Sequence, residues 1–176
     1  MKKFYAMLLS VIVAASSMSV SAKKWRIFTD LNVGYGIDYC YEEESYYGFS
    51  GMMLLSGGYQ LKKCFIGLGT GYVSSFGDFG AVPIYATFRY DFFKNDPKSF
   101  SPYVSYSLGY CIATGFCKDG LFVLPSVGLR KGLTETLGLN LGISAGYYGK
   151  AEVDGKYEDY EGSDAWGVFF NIGLDF

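Results

Sequence analysis

The last twelve residues, 165–176, alternate so regularly that they constrain the fold of the whole chain. Every second position holds a large apolar side chain, namely Trp166, Val168, Phe170, Ile172, Leu174 and Phe176. The positions between them are mainly small or polar. A period of two residues indicates a β-strand with one apolar face. When tilted, the segment 166–176 would span roughly 25 Å, which is about the height of the apolar band around a membrane-spanning barrel.

The same alternation recurs along the chain and predicts eight strands. Their predicted bounds are 25–38, 49–61, 65–76, 82–92, 103–112, 121–130, 137–147 and 165–176. Pro125 would remove one ladder hydrogen bond from the sixth strand, so we expect a local bulge there. No later apolar run reaches the ~18 residues that a membrane helix needs. Since backbone groups in lipid must be paired within the protein, we predict an all-β fold, a closed eight-stranded antiparallel up-and-down transmembrane β-barrel.

The first 22 residues have the pattern of a cleaved secretory signal peptide. Lys2 and Lys3 give a positive start, an apolar run extends from Phe4 to Ala15, and small residues at 20–22 offer a cleavage site. We therefore expect a signal peptide over 1–22 and a barrel domain over 23–176. Two of the 15 basic residues lie in this leader, which leaves 13 against 17 acidic ones, a mature net charge of about -4. Such mild acidity argues against nucleic acid as a partner.

The second face of each strand separates a membrane barrel from a soluble lipocalin-like barrel, whose apolar side chains would point inward. That face carries mainly Gly, Ser, Asn and Tyr, which suit a narrow lumen. The predicted lumen polar network consists of Arg26, Asp30, Arg89, Asp91, Arg130, Asn140, Asn171 and Asp175. Closure of the barrel would make Arg26 and Asp175 neighbours. We expect a satisfied polar plug without an open pore, because an unpaired buried charge costs several kcal/mol.

Aromatic residues cluster near both ends of the strands, at the alternate positions that form the apolar face. Trp25, Tyr59, Tyr90, Phe92 and Phe176 fall near one end, and Tyr35, Phe49, Tyr72, Tyr110 and Trp166 fall near the other. Strand propensity explains single aromatics, but it does not explain clustering at both ends. The pattern predicts two interfacial girdles.

The chain from Trp25 to Phe176, with its eight alternating strands and final aromatic residue, resembles the small OmpA/OmpX-like (opacity-type) eight-stranded outer-membrane barrels. The resemblance implies the outer membrane of a Gram-negative bacterium, contact with outer-membrane lipid, and insertion by the barrel assembly machinery with Phe176 as the assembly signal. An even-stranded barrel of this kind keeps both ends in the periplasm, so the first, third, fifth and seventh connections would face outward. It also implies roles that range from envelope integrity to adhesion.

Carboxylates are concentrated in the first and last outward connections. The surface-loop candidates are Glu42, Glu43, Glu44, Glu152, Asp154, Tyr157, Glu158, Asp159, Tyr160 and Glu161. Several oxygens could hold a divalent cation, and the tyrosines could contact a surface partner. The spacing does not match a calcium-binding loop, and a solvated acidic loop is the simpler interpretation. We predict no metal site and no cofactor.

Four cysteines allow at most one easy disulfide. Cys64 lies at a turn far from the other three, so the candidate pairs are Cys40 with Cys117 or Cys111 with Cys117, formed on an oxidising route. The alternative is four unpaired small apolar residues. None has the close paired spacing of zinc ligands.

The chain contains no histidine, the general base on which enzymes built on small outer-membrane barrels rely. A serine without such a base stays protonated and weakly nucleophilic. We therefore expect a non-enzymatic, monomeric barrel with a structural or surface-interaction role, in adhesion or envelope integrity, whose specific partner is unknown. One alternative is an OmpW-like narrow barrel that binds or passes small hydrophobic molecules, which inward Phe122 and Leu124 would favour. A second alternative is the soluble lipocalin-like binding barrel.

Overall fold

A computed structural model describes residues 25–39, 45–75, 79–93, 100–114, 119–134, 136–150 and 164–176. The predicted signal peptide, residues 1–22, lies outside this range. The part of the chain that the structure describes contains no helix with the length and hydropathy of a transmembrane span.

Eight strands make up almost all of the described chain. They are β1 (Trp25–Tyr39), β2 (Ser45–Leu61), β3 (Cys64–Ser75), β4 (Phe79–Asp91), β5 (Phe100–Thr114), β6 (Gly120–Gly132), β7 (Gly138–Lys150) and β8 (Asp164–Asp175). Each strand pairs antiparallel with the next, and β1 pairs with β8, so the sheet closes into a barrel. The predicted fold class is confirmed. Several strands extend beyond their predicted bounds, because pairs such as Tyr39↔Ser45 continue the ladder past the apolar band.

The register around the barrel fixes its shape. A path across successive pairs begins at Phe28 and passes Ser56, Gly69, Tyr85, Gly109, Phe122, Tyr148 and Ala165 before it returns to β1 at Asp38. Closure therefore staggers the sheet by ten residues, from 28 to 38. Such a stagger tilts the strands by about 35–45° from the axis and leaves an interior that side chains can fill.

Pro125 does not produce the predicted bulge. Pairing between β6 and β7 stops at Val123↔Tyr147 and resumes at Ser126↔Ser144, three residues further along each strand. A bulge would have added one residue to one strand only and shifted the register. The prediction was wrong because a proline lacks only the N–H group. It interrupts the ladder on one side and needs no extra residue.

The bulky apolar side chains of the strands face away from the barrel axis. Ile143 on β7 is 56% exposed and Phe170 on β8 is 57% exposed, whereas Ser144 and Asn171, the residues that follow them, are buried. A soluble lipocalin-like barrel would have the opposite orientation. The exterior is therefore an apolar band that requires lipid around it.

Glycines on β6 and β7 make room for an aromatic ring that crosses the lumen from β5. A Cβ added to Gly128 would lie 2.7 Å from Cε1 of Tyr103, and one added to Gly142 would lie 2.8 Å from the Tyr103 hydroxyl. Real Cβ atoms do not approach so closely. The small residues on the inward face thus permit large polar side chains to fill a narrow barrel, as the sequence predicts.

Candidate functional site

The structure places the predicted lumen polar network on the inward face of the strands. Arg89, Asp91, Arg130, Asn140, Asn171 and Asp175 are each at most 5% exposed, and Arg26 and Asp30 are half-buried. Most of these residues lie towards the barrel end that carries Trp25, the β2–β3 turn and Asp175. We call this end the turn end, and the opposite end, with Tyr39 and Asp164, the loop end.

Asp175 is the centre of the first ion-pair group. Arg130 donates from Nε to Oδ1 at 2.9 Å and from Nη2 to Oδ2 at 2.8 Å, a two-pronged contact. Asn140 Nδ2 donates to Oδ1 at 3.0 Å. Arg26 Nη1 lies 3.3 Å from Oδ2, close enough for charge attraction but without hydrogen-bond geometry. The barrel closure that the sequence predicts thus brings Arg26 and Asp175 into contact.

Arg89 is the centre of the second group, and Asn140 joins the two. Arg89 Nε donates to Asp91 Oδ1 at 2.9 Å, and Nη2 donates to Asn140 Oδ1 at 2.8 Å. The guanidinium carbon lies 3.7 Å from the ring centroid of Tyr103 and 4.9 Å from that of Phe28. Arginine over an aromatic face gains a cation–π attraction. Arg89 is therefore held by a carboxylate, an amide and two rings.

A chain of uncharged hydrogen bonds continues the network towards the middle of the barrel. Tyr103 donates to Asn171 Oδ1 at 3.2 Å, and Asn171 Nδ2 donates to Ser144 Oγ at 3.3 Å. Ser144 Oγ in turn donates to Asn32 Oδ1 at 3.2 Å. Tyr103, Ser144 and Asn32 were not among the predicted residues of the network, although their inward parity identifies them as lumen residues.

The polar network is less fully satisfied than the sequence predicted. Three arginines and three aspartates balance in charge: Arg26, Arg89, Arg130, Asp30, Asp91 and Asp175. Yet Asp91 Oδ2 and Asn32 Nδ2 are buried without a hydrogen-bond partner in the structure. Asp30 joins neither ion-pair group within the described residues, although it lines the same lumen as Arg89.

A small cavity of about 40 Å³ remains beside this network. Its polar lining includes Asp30, Asn32, Arg89 and the Ser107 hydroxyl, which donates to Thr87 Oγ1 at 3.0 Å. Binding sites for small molecules usually have volumes of about 300–1,000 Å³. The cavity can therefore take water but not a metabolite.

The other half of the lumen is apolar, which corrects the expectation of a purely polar plug. Its core cluster consists of Met52, Leu54, Val73, Tyr85, Cys111, Phe122, Leu124 and Phe169. Phe122 is completely buried, and its ring centroid lies 5.5 Å from that of Tyr85. Inward parity indicated Phe122 and Leu124 from the sequence. The inward faces of all strands taken together are mainly small or polar. That average does not show that their few apolar residues lie at the same height along the barrel axis.

Cys111 belongs to this apolar cluster and carries a free thiol. The candidate pair of Cys111 with Cys117 is therefore not formed, because the Cys111 side chain packs into the lumen instead of reaching the rim. Cys40 and Cys117 lie outside the described residues, and their pairing stays a prediction. Cys64 is also free.

The acidic surface-loop candidates belong to the connections after β1 and after β7. Glu42, Glu43, Glu44, Glu152, Asp154, Tyr157, Glu158, Asp159, Tyr160 and Glu161 all lie outside the described residues. Within the described ranges, no group of three or more His, Cys, Asp or Glu side chains could hold a metal ion. The loop residues therefore stay predictions from sequence.

The outer surface shows paired aromatic rings near both ends of the strands. At the turn end, the ring centroids of Trp25 and Tyr59 are 6.0 Å apart and those of Tyr90 and Phe92 are 5.2 Å apart. At the loop end, the distance is 5.8 Å for Tyr35 and Phe49 and 4.4 Å for Tyr147 and Trp166. Two aromatic levels with an apolar band between them are the surface pattern of a membrane barrel.

Solved structures with the same closed sheet complete this description. The chain is similar to Neisserial surface protein A (NspA), with a TM-score of 0.57 and 17% identity over 85% of this chain and 97% of that one. The fold is that of a small outer-membrane β-barrel. The outer membrane enzyme PagL (TM-score 0.55, 16% identity, 82% and 97% covered) and the outer membrane protein OprG from Pseudomonas aeruginosa (0.50, 11%, 87% and 96%) share it. No protein-family model and no curated protein matches the sequence.

These similarities confirm the predicted resemblance at the level of the fold, and the apolar exterior with its two aromatic levels agrees with the predicted outer-membrane location. At such low identities they concern the fold alone. Since an enzyme is among the similar barrels, the fold does not determine an activity. The function has to be inferred from the interior and the rims of this outer-membrane barrel.

Proposed function

We propose that this outer-membrane barrel is a non-enzymatic scaffold for surface interactions, in adhesion or envelope integrity. The observation that carries the proposal is the filled lumen. Among the described residues, a layer of ion pairs around Asp175 and an apolar layer around Phe122 fill the lumen, and the cavity beside the ion pairs has a volume of about 40 Å³. Since such an interior has no space for a solute, we expect the connections between the strands, and not the lumen, to bind the partner.

The chemistry of the lumen also supports a non-enzymatic role. The buried Ser107 donates its hydroxyl hydrogen to Thr87 Oγ1, and the buried Ser144 donates to an amide oxygen. Neither acceptor is a base that could remove the proton. A serine becomes an effective nucleophile only beside such a base, and the chain contains no histidine to supply one.

The acidic, tyrosine-containing segment 151–163 is the proposed contact region. Its carboxylates favour a basic surface or a divalent cation as partner, and its tyrosines supply the large contact area that is typical of protein interfaces. The strands on either side, β7 and β8, pair closely from Gly138↔Asp175 to Tyr148↔Ala165. A rigid base under this segment would reduce the entropy lost on binding.

Deletion of residues 151–163 should lower adhesion or cation-dependent surface binding several-fold while the barrel still folds. Two length-preserving variants separate the causes. E152Q/D154N/E158Q/D159N/E161Q removes charge, whereas Y157S/Y160S removes the aromatic contacts. Binding can be measured with cells that display each variant, after heat-modified gel mobility has shown a folded barrel. Unchanged binding after the deletion would refute a contact role for this segment.

The filled lumen also predicts that the barrel does not conduct ions. In planar bilayers the wild-type barrel should show no large, stable conductance, because ions would have to cross both the Arg89–Asp91 layer and the Phe122 layer. A well-folded preparation can be verified by gel mobility before recording. Steady openings of porin size would contradict the scaffold proposal.

Transport of small hydrophobic molecules, as in an OmpW-like barrel, is a second candidate that two observations favour. The loop-end half of the lumen is apolar. In addition, pairing between β3 and β4 stops at Thr70↔Ile84 and resumes at Val73↔Ala81, so the ladder is interrupted beside Pro83. An interrupted ladder weakens the wall of the barrel next to the apolar cluster.

A Pro83→Val variant tests this candidate. Valine restores the N–H group that the ladder lacks and should reduce the uptake of a small apolar probe into vesicles if the interruption is its route. Pro125→Val restores the N–H group at the interruption between β6 and β7, beside Leu124 of the same apolar cluster, and shows which of the two interruptions is the route. If uptake is the same for empty vesicles, wild type and both variants, the transport candidate fails, whereas the scaffold proposal is unaffected.

A further inference from the structure

Three exposed or half-exposed lysines lie at the turn end of the barrel, two in the β2–β3 turn and one on the outer face of β6. Lys62 and Lys63 form the tight connection between β2 and β3, where Lys62 takes the left-handed conformation with φ of 53°. Both side chains are exposed. Lys131 lies on the outward face of β6, opposite Phe100 of β5.

Two of these lysines are held against the wall near aromatic side chains. Lys63 Nζ donates to the Phe92 carbonyl at 2.8 Å, which ties the β2–β3 turn to the end of β4. Lys131 Nζ lies 4.4 Å from the ring centroid of Phe100, a cation–π contact. Phe92 and Phe100 are both exposed. The Lys131 ammonium group therefore lies beside the aromatic level that marks the membrane interface, and the Lys63 ammonium group lies at the same end of the barrel, against the end of β4.

The described acidic side chains at this end do not neutralise the lysines. Asp91 and Asp175 are at most 1% exposed and point into the lumen, where Arg89 and Arg130 bind them. The outward charge of the described turn end is consequently positive. Each ammonium group keeps N–H donors for an external acceptor, since the carbonyl of Phe92 takes at most one of the three on Lys63.

We propose that Lys62, Lys63 and Lys131 bind the headgroups of anionic phospholipids in the leaflet that surrounds the turn end, the periplasmic leaflet in the predicted orientation. A lysine ammonium is a compact charge that binds phosphate well. Its long aliphatic stem can lie along the apolar wall while the charge reaches the headgroup level. The β2–β3 turn and Lys131 lie at separate positions around the barrel, and each should select a phosphodiester with net negative charge over a zwitterionic headgroup.

The test compares lipid retention by the mature chain refolded with phosphatidylcholine alone or mixed with phosphatidylglycerol. Native mass spectrometry counts the lipids that stay bound to the wild type, to K62Q/K63Q/K131Q and to K62R/K63R/K131R. K150Q, at the end of β7 on the loop end, is the control for charge removed elsewhere. Gel mobility and circular dichroism establish that each variant is folded.

We expect the wild type to retain phosphatidylglycerol in preference to phosphatidylcholine. The glutamine variant should lose this preference by about fivefold or more, given the usual gain of each basic residue near an anionic membrane. The arginine variant and K150Q should keep it, and added salt should weaken it. Equal phosphatidylglycerol retention by the wild type and the glutamine variant, or an equal loss in K150Q, would overturn the proposal.

Discussion

Replacing Asp175 with alanine should destabilise the barrel by about 3–5 kcal/mol, because the substitution removes one partner of a buried ion pair and leaves the other charged. Asp175 is fully buried and accepts hydrogen bonds from both Nε and Nη2 of Arg130 and from Asn140 Nδ2. Without it, the Arg130 guanidinium would lose the carboxylate that it binds through both Nε and Nη2 in the lumen. Denaturant unfolding of the barrel in vesicles, followed by the fluorescence of Trp25 and Trp166, measures the change.

Asp30→Asn is the matched control for this prediction. It also removes one lumen carboxylate, but Asp30 joins neither ion-pair group of the described residues, so the loss should be clearly smaller. A double variant, R130M/D175L, removes both charges and should recover much of the stability that Asp175→Ala loses, since two apolar side chains need no compensation. If Asp175→Ala and Asp30→Asn cost the same, the ion-pair layer is not what holds the two ends of the sheet together.

Only part of the ion-pair layer can be predicted from the sequence of such a fold. Alternation assigns each side chain to the lumen or to lipid, and closure of the sheet makes Arg26 and Asp175 neighbours before any coordinates are known. The sheet register decides the rest. Arg130 reaches Asp175 because Gly138 pairs with Asp175 and leaves space where any other side chain would stand. That space depends on three strands at once, and no single strand reveals it.

The apolar half of the lumen was harder to predict for a related reason. Met52, Phe122 and Phe169 come from β2, β6 and β8, whose inward faces are otherwise mainly small or polar apart from Leu54 and Leu124. Singly, each seems an exception to the pattern. The ten-residue stagger of the sheet brings them to the same height along the barrel axis. They pack against one another there, and the removal of their apolar surface from water stabilises the barrel. The position of a side chain along the barrel axis, unlike its face, is a property of the closed sheet.

The outward orientation of the apolar face predicts a large loss of stability when a charge is introduced there. Ile143→Arg should destabilise the barrel by about 2–4 kcal/mol, because a charge near the middle of the lipid-facing surface loses its hydration. Ile143 lies near the centre of β7, is 56% exposed, and pairs with Val127 and Phe170, which are also exposed apolar residues. Unfolding in vesicles, under the same conditions as for Asp175→Ala, gives the free-energy difference.

Phe49→Arg provides the depth control for this substitution. Phe49 is even more exposed but lies at the loop-end aromatic level beside Tyr35, where an arginine can reach the headgroups. Its cost should fall to about 0–1 kcal/mol, the range for charges near the interface. A soluble barrel would show no such dependence on depth, because water would hydrate an exposed arginine equally at both positions. Equal and small effects of Ile143→Arg and Phe49→Arg would therefore contradict the membrane orientation, and a cost several times larger at Ile143 is the result that lipid contact requires.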